Sequence, residues 1–150
     1  MAIAIGCDEA AFDLKEILKR HLQALGHEVA DYGTHERKPV LYPDVAFAVA
    51  EDVAAGKHHR AVLLCGTGIG MAISANKVPG VRAAQAHDTY SAERARKSND
   101  AQIITIGARV VGPELARSIV DAWLASEYEG GRSAAKVDRI VAYEKSRAAG

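Results

Sequence analysis

The segment Cys65-Gly66-Thr67-Gly68-Ile69-Gly70 sets a thiol at the head of three alternating glycines. The apolar run Arg60–Leu64 before it reads as a strand, and the stretch from about Gly70 to Lys77 as a helix. A strand, glycine-rich turn and helix in that order aim backbone N–H groups and a positive helix end at an anion. Such surroundings favour a thiolate over a thiol. A thiolate there can take a proton from carbon, while the same N–H groups hold the oxyanion that forms. Asp8 follows the first strand and His87-Asp88 the fourth, so other reactive side chains come to the same edge. In an open α/β sheet that edge, the carboxyl ends of the strands, is where ligands bind.

Plainer alternatives exist for each residue. Cys65 alone could be a small buried hydrophobe, as free cysteines usually are, and Cys7 is assigned to the core on that ground. The glycines alone could serve a tight turn. A dinucleotide site is the rival from another class, because Gly66 and Gly68 fit the start of its fingerprint and Asp88 lies at a ribose-contact distance. The third glycine position, however, holds Met71, and the loop follows an internal strand instead of the first.

The elements that must position these residues alternate between short β-like runs and longer amphipathic stretches, which predicts β-α units and a parallel sheet. The strands are expected at Ala2–Gly6, Glu28–Asp31, Arg60–Leu64, Val81–Ala86 and Gln102–Ile106. Leu14, Ile17, Leu18, His21 and Leu25 share one helical face, and Gly26 stops that helix. A polar connection, Tyr32–Tyr42, leads to a helix opened by Pro43 and running to about Ala55. Ser91 is expected to cap a helix ending at Ser98. Gly112-Pro113 starts another that turns Leu115, Ile119 and Trp123 inward, and an amphipathic helix spans about Ser133–Ala148.

The chain has 150 residues, so one domain, 1–150, is expected. Nineteen basic residues balance 19 acidic ones, which calls for no nucleic-acid or anionic-membrane partner. Apolar runs fall short of the ~20 residues of a membrane span. Ala2-Ile3-Ala4-Ile5 opens without a basic n-region, so no secretory signal is expected. Two cysteines make no disulfide framework, and a cytoplasmic location follows as the expectation.

Further blocks surround the glycine loop: Gly6-Cys7-Asp8, Tyr42-Pro43, Ser74-Ala75-Asn76-Lys77, Asp88-Thr89-Tyr90-Ser91-Ala92, Asn99, Gly107-Ala108-Arg109-Val110 and Glu129-Gly130-Gly131-Arg132. In this set, nearly end to end, the chain resembles the family of ribose-5-phosphate isomerase B and galactose-6-phosphate isomerase. The resemblance implies a single Rossmann-like α/β domain with a five-stranded parallel sheet and no metal or organic cofactor. It also implies a homodimer, or dimer of dimers, with shared active sites and the C-terminal helix at the interface. By the same resemblance, Cys65 matches the base that moves a proton between C1 and C2 of a phosphorylated sugar through a cis-enediolate. Thr67, with Gly66, Gly68, Ile69 and Gly70, matches the loop that holds the reacting oxygens. Asp8 and Tyr42 match substrate-hydroxyl contacts, Asn99 a contact from the partner subunit, and Arg109 and Arg132 the phosphate grip, a task suited to arginine's planar fork.

Four positions depart from the ribose-phosphate pattern. Glu9, Ser98 and Ser133 stand where that branch has histidines, and Lys136 where it has an arginine. In the resembling enzymes the histidine at the Ser98 position helps open the furanose ring, and serine cannot act as an acid–base group near neutrality. A four-carbon sugar esterified at O4 has no furanose to open. The block His87–Arg94 with Ser98-Asn99, Gln102-Ile103-Ile104-Thr105 and Gly131–Ala134 resembles the tetrulose-phosphate isomerases of erythritol catabolism. The expected reaction is thus D-erythrulose 4-phosphate to D-erythrose 4-phosphate, with ribose 5-phosphate as the alternative substrate. His87 would then either replace the ring opener or be a hydrogen-bonded structural histidine. Glu9 would grip a sugar hydroxyl, or cap the first helix and pair with Lys15. A sugar-phosphate-binding paralogue or hetero-oligomer subunit without catalysis is the alternative of another class.

Overall fold

The structure is a computed structural model and describes residues 1–148. Five strands form one parallel sheet: β1 (Ile3–Cys7), β2 (Val29–Asp31), β3 (Ala61–Cys65), β4 (Ala83–Gln85) and β5 (Ile103–Gly107), in the order β2-β1-β3-β5-β4. Among the described residues the α-helices are α1 (Phe12–Ala24), α2 (Tyr42–Ala54), α3 (Ile69–Ala75), α4 (Thr89–Lys97), α5 (Pro113–Leu124) and α6 (Ala134–Ala148). The expected single α/β domain with a five-stranded parallel sheet is what forms. No helix among the described residues is long and apolar enough to cross a membrane.

The three inner strands are buried throughout, and their side chains alternate between two cores. Val62, Leu64, Ile104 and Ile106 meet Leu14, Leu18 and Leu22 of α1 and Ile119 and Trp123 of α5 on one face. Leu63 and Cys65 meet Val49 and Ala50 of α2 and Met71 and Ala75 of α3 on the other. Strand order reverses between β1 and β3, which puts Asp8 and Cys65 side by side at the switch point of the sheet.

Several local expectations change. Helix α4 begins at Thr89, capped by Asp88 instead of Ser91: the Asp88 carboxylate accepts from the Ser91 N–H at 2.6 Å and from its hydroxyl at 2.8 Å. Asp88 is therefore a cap, which uses up the residue that favoured a nucleotide. Leu25 is exposed because α1 ends before it, at Ala24, and Leu115 is exposed on the outer side of α5. β4 keeps only Ala83–Gln85, since it pairs on one side alone.

Lys15 lies on the buried face of α1 and is 0 % exposed. Its ammonium donates to both Asp31 oxygens, at 3.0 and 2.9 Å, and to the Thr34 carbonyl at 2.8 Å. Burial works against both charges. For Lys15 the bonds to Asp31 and Glu16 outweigh it and leave the ammonium held above its ordinary range. For Asp31 the bonds from Lys15, the Gly33 N–H and Lys19 outweigh it and hold the carboxyl below its ordinary range. The segment after β2 is thereby fastened across the end of β1, where Cys7 N–H donates to Gly33 and Thr34 N–H to Cys7.

Candidate active site

Cys65 ends β3 beside Gly107 of β5, and only 5 % of it is exposed. The Gly68 N–H donates to its Sγ at 3.1 Å. Gly68 has φ +77°, which favours glycine, and a Cβ there would press on the Ile106 backbone at 3.0 Å. The Thr67 hydroxyl accepts from the Ile69 N–H at 3.2 Å. Among the described residues the N–H groups of Thr67, Gly70 and Met71 carry no hydrogen bond. Unpaired N–H groups in a loop beside a thiol can bind an anionic oxygen.

The other residues of this edge close around the loop. Tyr42, the first residue of α2, lays its ring where a side chain on Gly70 would stand. Arg109 passes over Gly66, its Cδ 3.6 Å from where a Gly66 Cβ would be, and lowers the Asp8 carboxyl by its charge. Asp8 nevertheless sits above the ordinary carboxylate range, through burial first and the neighbouring Glu9 second. It also caps a short 3-10 turn, Glu9–Ala11, by accepting from the Ala10 N–H at 3.1 Å.

Glu9 neither pairs with Lys15 nor caps α1. Its carboxylate accepts the Val40 N–H at 3.1 Å and so pins the connection that leads into Tyr42. His87 accepts the Gly107 N–H on Nε2 at 2.9 Å, so that nitrogen carries a lone pair and the ring is a hydrogen-bonded part of the frame. Cys7 is fully buried as a core residue, and burial pushes its thiol up to about 12. Cys65 is the one cysteine placed for chemistry.

The remaining expected residues lie at the opposite edge of the same sheet. Helix α4 runs back along the strands, so Ser98 and Asn99 fall where β5 starts, about 13 Å from its Gly107 end. There Arg82 Nε donates to the Asn99 carbonyl at 3.1 Å. Glu129 N–H donates to the Lys97 carbonyl at 3.2 Å, which brings the segment carrying Arg132 and the start of α6 with Lys136 to that edge. Arg132 and Lys136 are exposed. Ser98 Oγ accepts from Arg94 Nε at 3.0 Å and Nη2 at 2.5 Å, so its hydroxyl holds a guanidinium in place. Within one chain Cys65, Thr67, Asp8, Tyr42, His87 and Arg109 come together, and Ser98, Asn99, Arg132 and Lys136 form a separate group.

Four residues of this frame are not marked by the sequence. Lys15 stands out in the sequence only as a partner for Glu9, Gln85 belongs to no motif, and Thr105 and Arg94 stand in motif blocks without a role of their own. Only the i,i+4 spacing of Arg94 and Ser98 is a signal open to inspection.

Comparison with known proteins fits this arrangement. The family model described as Ribose/Galactose Isomerase matches residues 3–140. The chain belongs to the ribose/galactose isomerase family. It is 58% identical over 147 residues to D-erythrulose-4-phosphate isomerase of Pectobacterium atrosepticum, covering 96% of this chain and 95% of that protein. To ribose-5-P isomerase B of Listeria innocua it is 57% identical over 138 residues, covering 92% and 93%. The solved structure of Clostridium thermocellum ribose-5-phosphate isomerase B superposes with a TM-score of 0.96 at 46% identity, covering 98% and 99%. The chain is thus a sugar-phosphate isomerase by family, an intramolecular oxidoreductase. Its two near-equal relatives are named for different sugars.

Proposed function

We propose that this isomerase interconverts D-erythrulose 4-phosphate and D-erythrose 4-phosphate through a cis-enediolate. The observation that carries the chemistry is the Gly68 N–H on Cys65 Sγ at 3.1 Å, inside a loop where, among the described residues, the N–H groups of Thr67, Gly70 and Met71 are open. The Cys65 thiolate takes the proton from the carbon beside the carbonyl. The C–H electron pair forms the C1–C2 double bond, and the carbonyl electrons go to oxygen. The loop N–H groups and Thr67 hold the two oxygens, and the hydroxyl proton passes from the one oxygen to the other, which was the carbonyl. Cys65 returns its proton to the neighbouring carbon, and the oxygen that gave up its proton is then the new carbonyl. Such positioned proton transfer contributes about 10²–10⁴-fold. Asp8 and Tyr42 contact sugar hydroxyls, and Arg109 meets the phosphate.

The tetrose reading rests on ring opening. Ser98 offers a hydroxyl already engaged by Arg94, and the Nε2 of His87 is taken by Gly107. Neither is a free acid–base group, so a substrate without a ring suits the site. Ribose 5-phosphate is the second reading, favoured by the relative in Listeria innocua that bears that name.

We infer also that the site is completed by a second copy of the chain. Asn99, Arg132 and Lys136 of the partner subunit would then face Cys65 and Arg109. Exposed apolar side chains support this: Ile69 and Ile73 on α3, with Ile140 and Tyr143 on α6, leave a face that a second copy would cover.

Proton NMR in heavy water, with both sugar phosphates side by side and Cys65→Ala as control, tests the reading. Conversion of the tetrulose phosphate with deuterium incorporation, absent in the variant, is expected. Conversion of ribose 5-phosphate alone would overturn the substrate. Binding without turnover of either sugar, in wild type and variant alike, would favour a non-catalytic paralogue.

A further inference from the structure

Gln85 is the last residue of β4, the edge strand of the sheet, and it is exposed. Its Nε2 nevertheless donates to the Thr67 carbonyl at 2.8 Å. From β5 the buried Thr105 hydroxyl donates to the next carbonyl, that of Gly68, at 2.9 Å. In a trans peptide the C=O and the following N–H point in opposite directions. Drawing the Thr67 carbonyl toward Gln85 therefore turns the Gly68 N–H the other way, onto Cys65 Sγ. Drawing the Gly68 carbonyl toward Thr105 likewise turns the Ile69 N–H onto the Thr67 hydroxyl.

The two anchors differ in what they control. Thr105 is buried among β-sheet neighbours and holds the Gly68–Ile69 peptide from below. The Thr67–Gly68 peptide has Gln85 as its only carbonyl partner among the described residues. Glycine tolerates either sign of φ, so the φ of Gly68 does not by itself fix this peptide, and the Gln85 bond is the hydrogen bond that orients its carbonyl.

We propose that Gln85 is a positioning residue that aims the Gly68 N–H at the Cys65 sulfur. Gln85 itself touches no substrate. The inference rests on Cys65 as the base of the proposed isomerisation, and it concerns a residue outside the glycine loop.

The test uses the full chain with Gln85→Leu and Gln85→Glu, both at an exposed position and so expected to keep the wild-type melting temperature. Glu preserves the size of the side chain but offers an acceptor where a donor is needed. Alkylation by iodoacetamide at fixed neutral pH, followed by intact mass, reads the reactivity of the Cys65 sulfur. Cys7 stays silent, being fully buried with its thiol pushed up to about 12. Both variants should alkylate about threefold more slowly: a hydrogen bond to a charged group is worth about tenfold, and the sulfur that loses it regains about half of that on a log scale in intrinsic nucleophilicity. On whichever sugar phosphate the wild type converts, kcat should fall with KM unchanged. Unchanged or faster alkylation in either variant, or slowing with Leu alone, would overturn the proposal. Alkylation requires no turnover, so it decides the role of Gln85 even if the wild type converts neither sugar.

Discussion

Asp8 shows most plainly what the site demands of a single residue. Its carboxyl is held above the ordinary range by burial and then by Glu9, so the folded chain binds its proton more tightly than the unfolded chain does. Stability from this group is complete below the ordinary carboxylate pKa and is lost as pH rises through the raised one, so ionised Asp8 costs stability at neutral pH. Asp8→Asn keeps an acceptor for the Ala10 N–H and removes the charge. The variant should unfold at higher urea concentration than wild type at pH 7, with the gain fading as pH falls below the carboxylate range. Turnover should fall sharply in the same protein, a trade of activity for stability. Equal urea midpoints at pH 7 would contradict this account of Asp8. The cysteine pair makes a second contrast, since Cys7 and Cys65 end neighbouring strands and only Cys65 meets a glycine loop.

At the scale of elements, the strand ends and the loops crossing them are held by close backbone contact and by one buried ion pair. A Cβ on Gly107 would come within 2.7 Å of the Thr67 backbone, which cannot step aside as a flexible side chain could. Gly107→Ala should cost about 1–3 kcal/mol in urea unfolding and lower kcat by displacing Thr67. Gly107→Ala behaving like wild type in both measurements would mean that the loop is not seated on β5. The Lys15–Asp31 pair matters more for stability. Asp31 is held low, so its contribution is present above the ordinary carboxylate pKa and is lost as pH falls through the lowered one. Asp31→Asn leaves Lys15 buried with a diminished partner set and should lose about 3–5 kcal/mol at pH 7. The difference from wild type should shrink in acid, where Asp31 protonates in both states.

The whole molecule sets the last requirement, because one chain separates the two groups of expected site residues by the height of the sheet. A symmetric dimer in which each chain offers both edges would assemble two complete sites. Mixing Cys65→Ala with Arg132→Ala, each inactive alone, then creates hybrid dimers with one intact site. After equilibration of equal amounts, activity should recover to about a quarter of wild type. No recovery, with hybrid dimers demonstrated by native mass spectrometry, would mean that Arg132 serves the site of its own chain. The exposed faces of α3 and α6 make the same prediction in another form: charge placed at Ile73 should dissociate the assembly and abolish turnover together.

The class of fold, the five strands and the candidate chemistry at Cys65 are legible in the chain alone, because hydrophobic period, glycine spacing and motif order are local properties. The parallel sheet, the Cys65–Gly70 turn and the core placement of Cys7 all follow in that way. Folding in three dimensions settles what depends on which side chains meet across strands. Asp88 becomes a helix cap, Glu9 a clasp for the Val40 N–H, and His87 an acceptor for Gly107, although each residue type also suits a ligand. Lys15, outwardly one more charge on a helix, is buried because Asp31 lies across from it on another element. The same holds for Gln85, whose partner on the glycine loop is set by hydrogen-bond geometry in space and by no pattern of spacing.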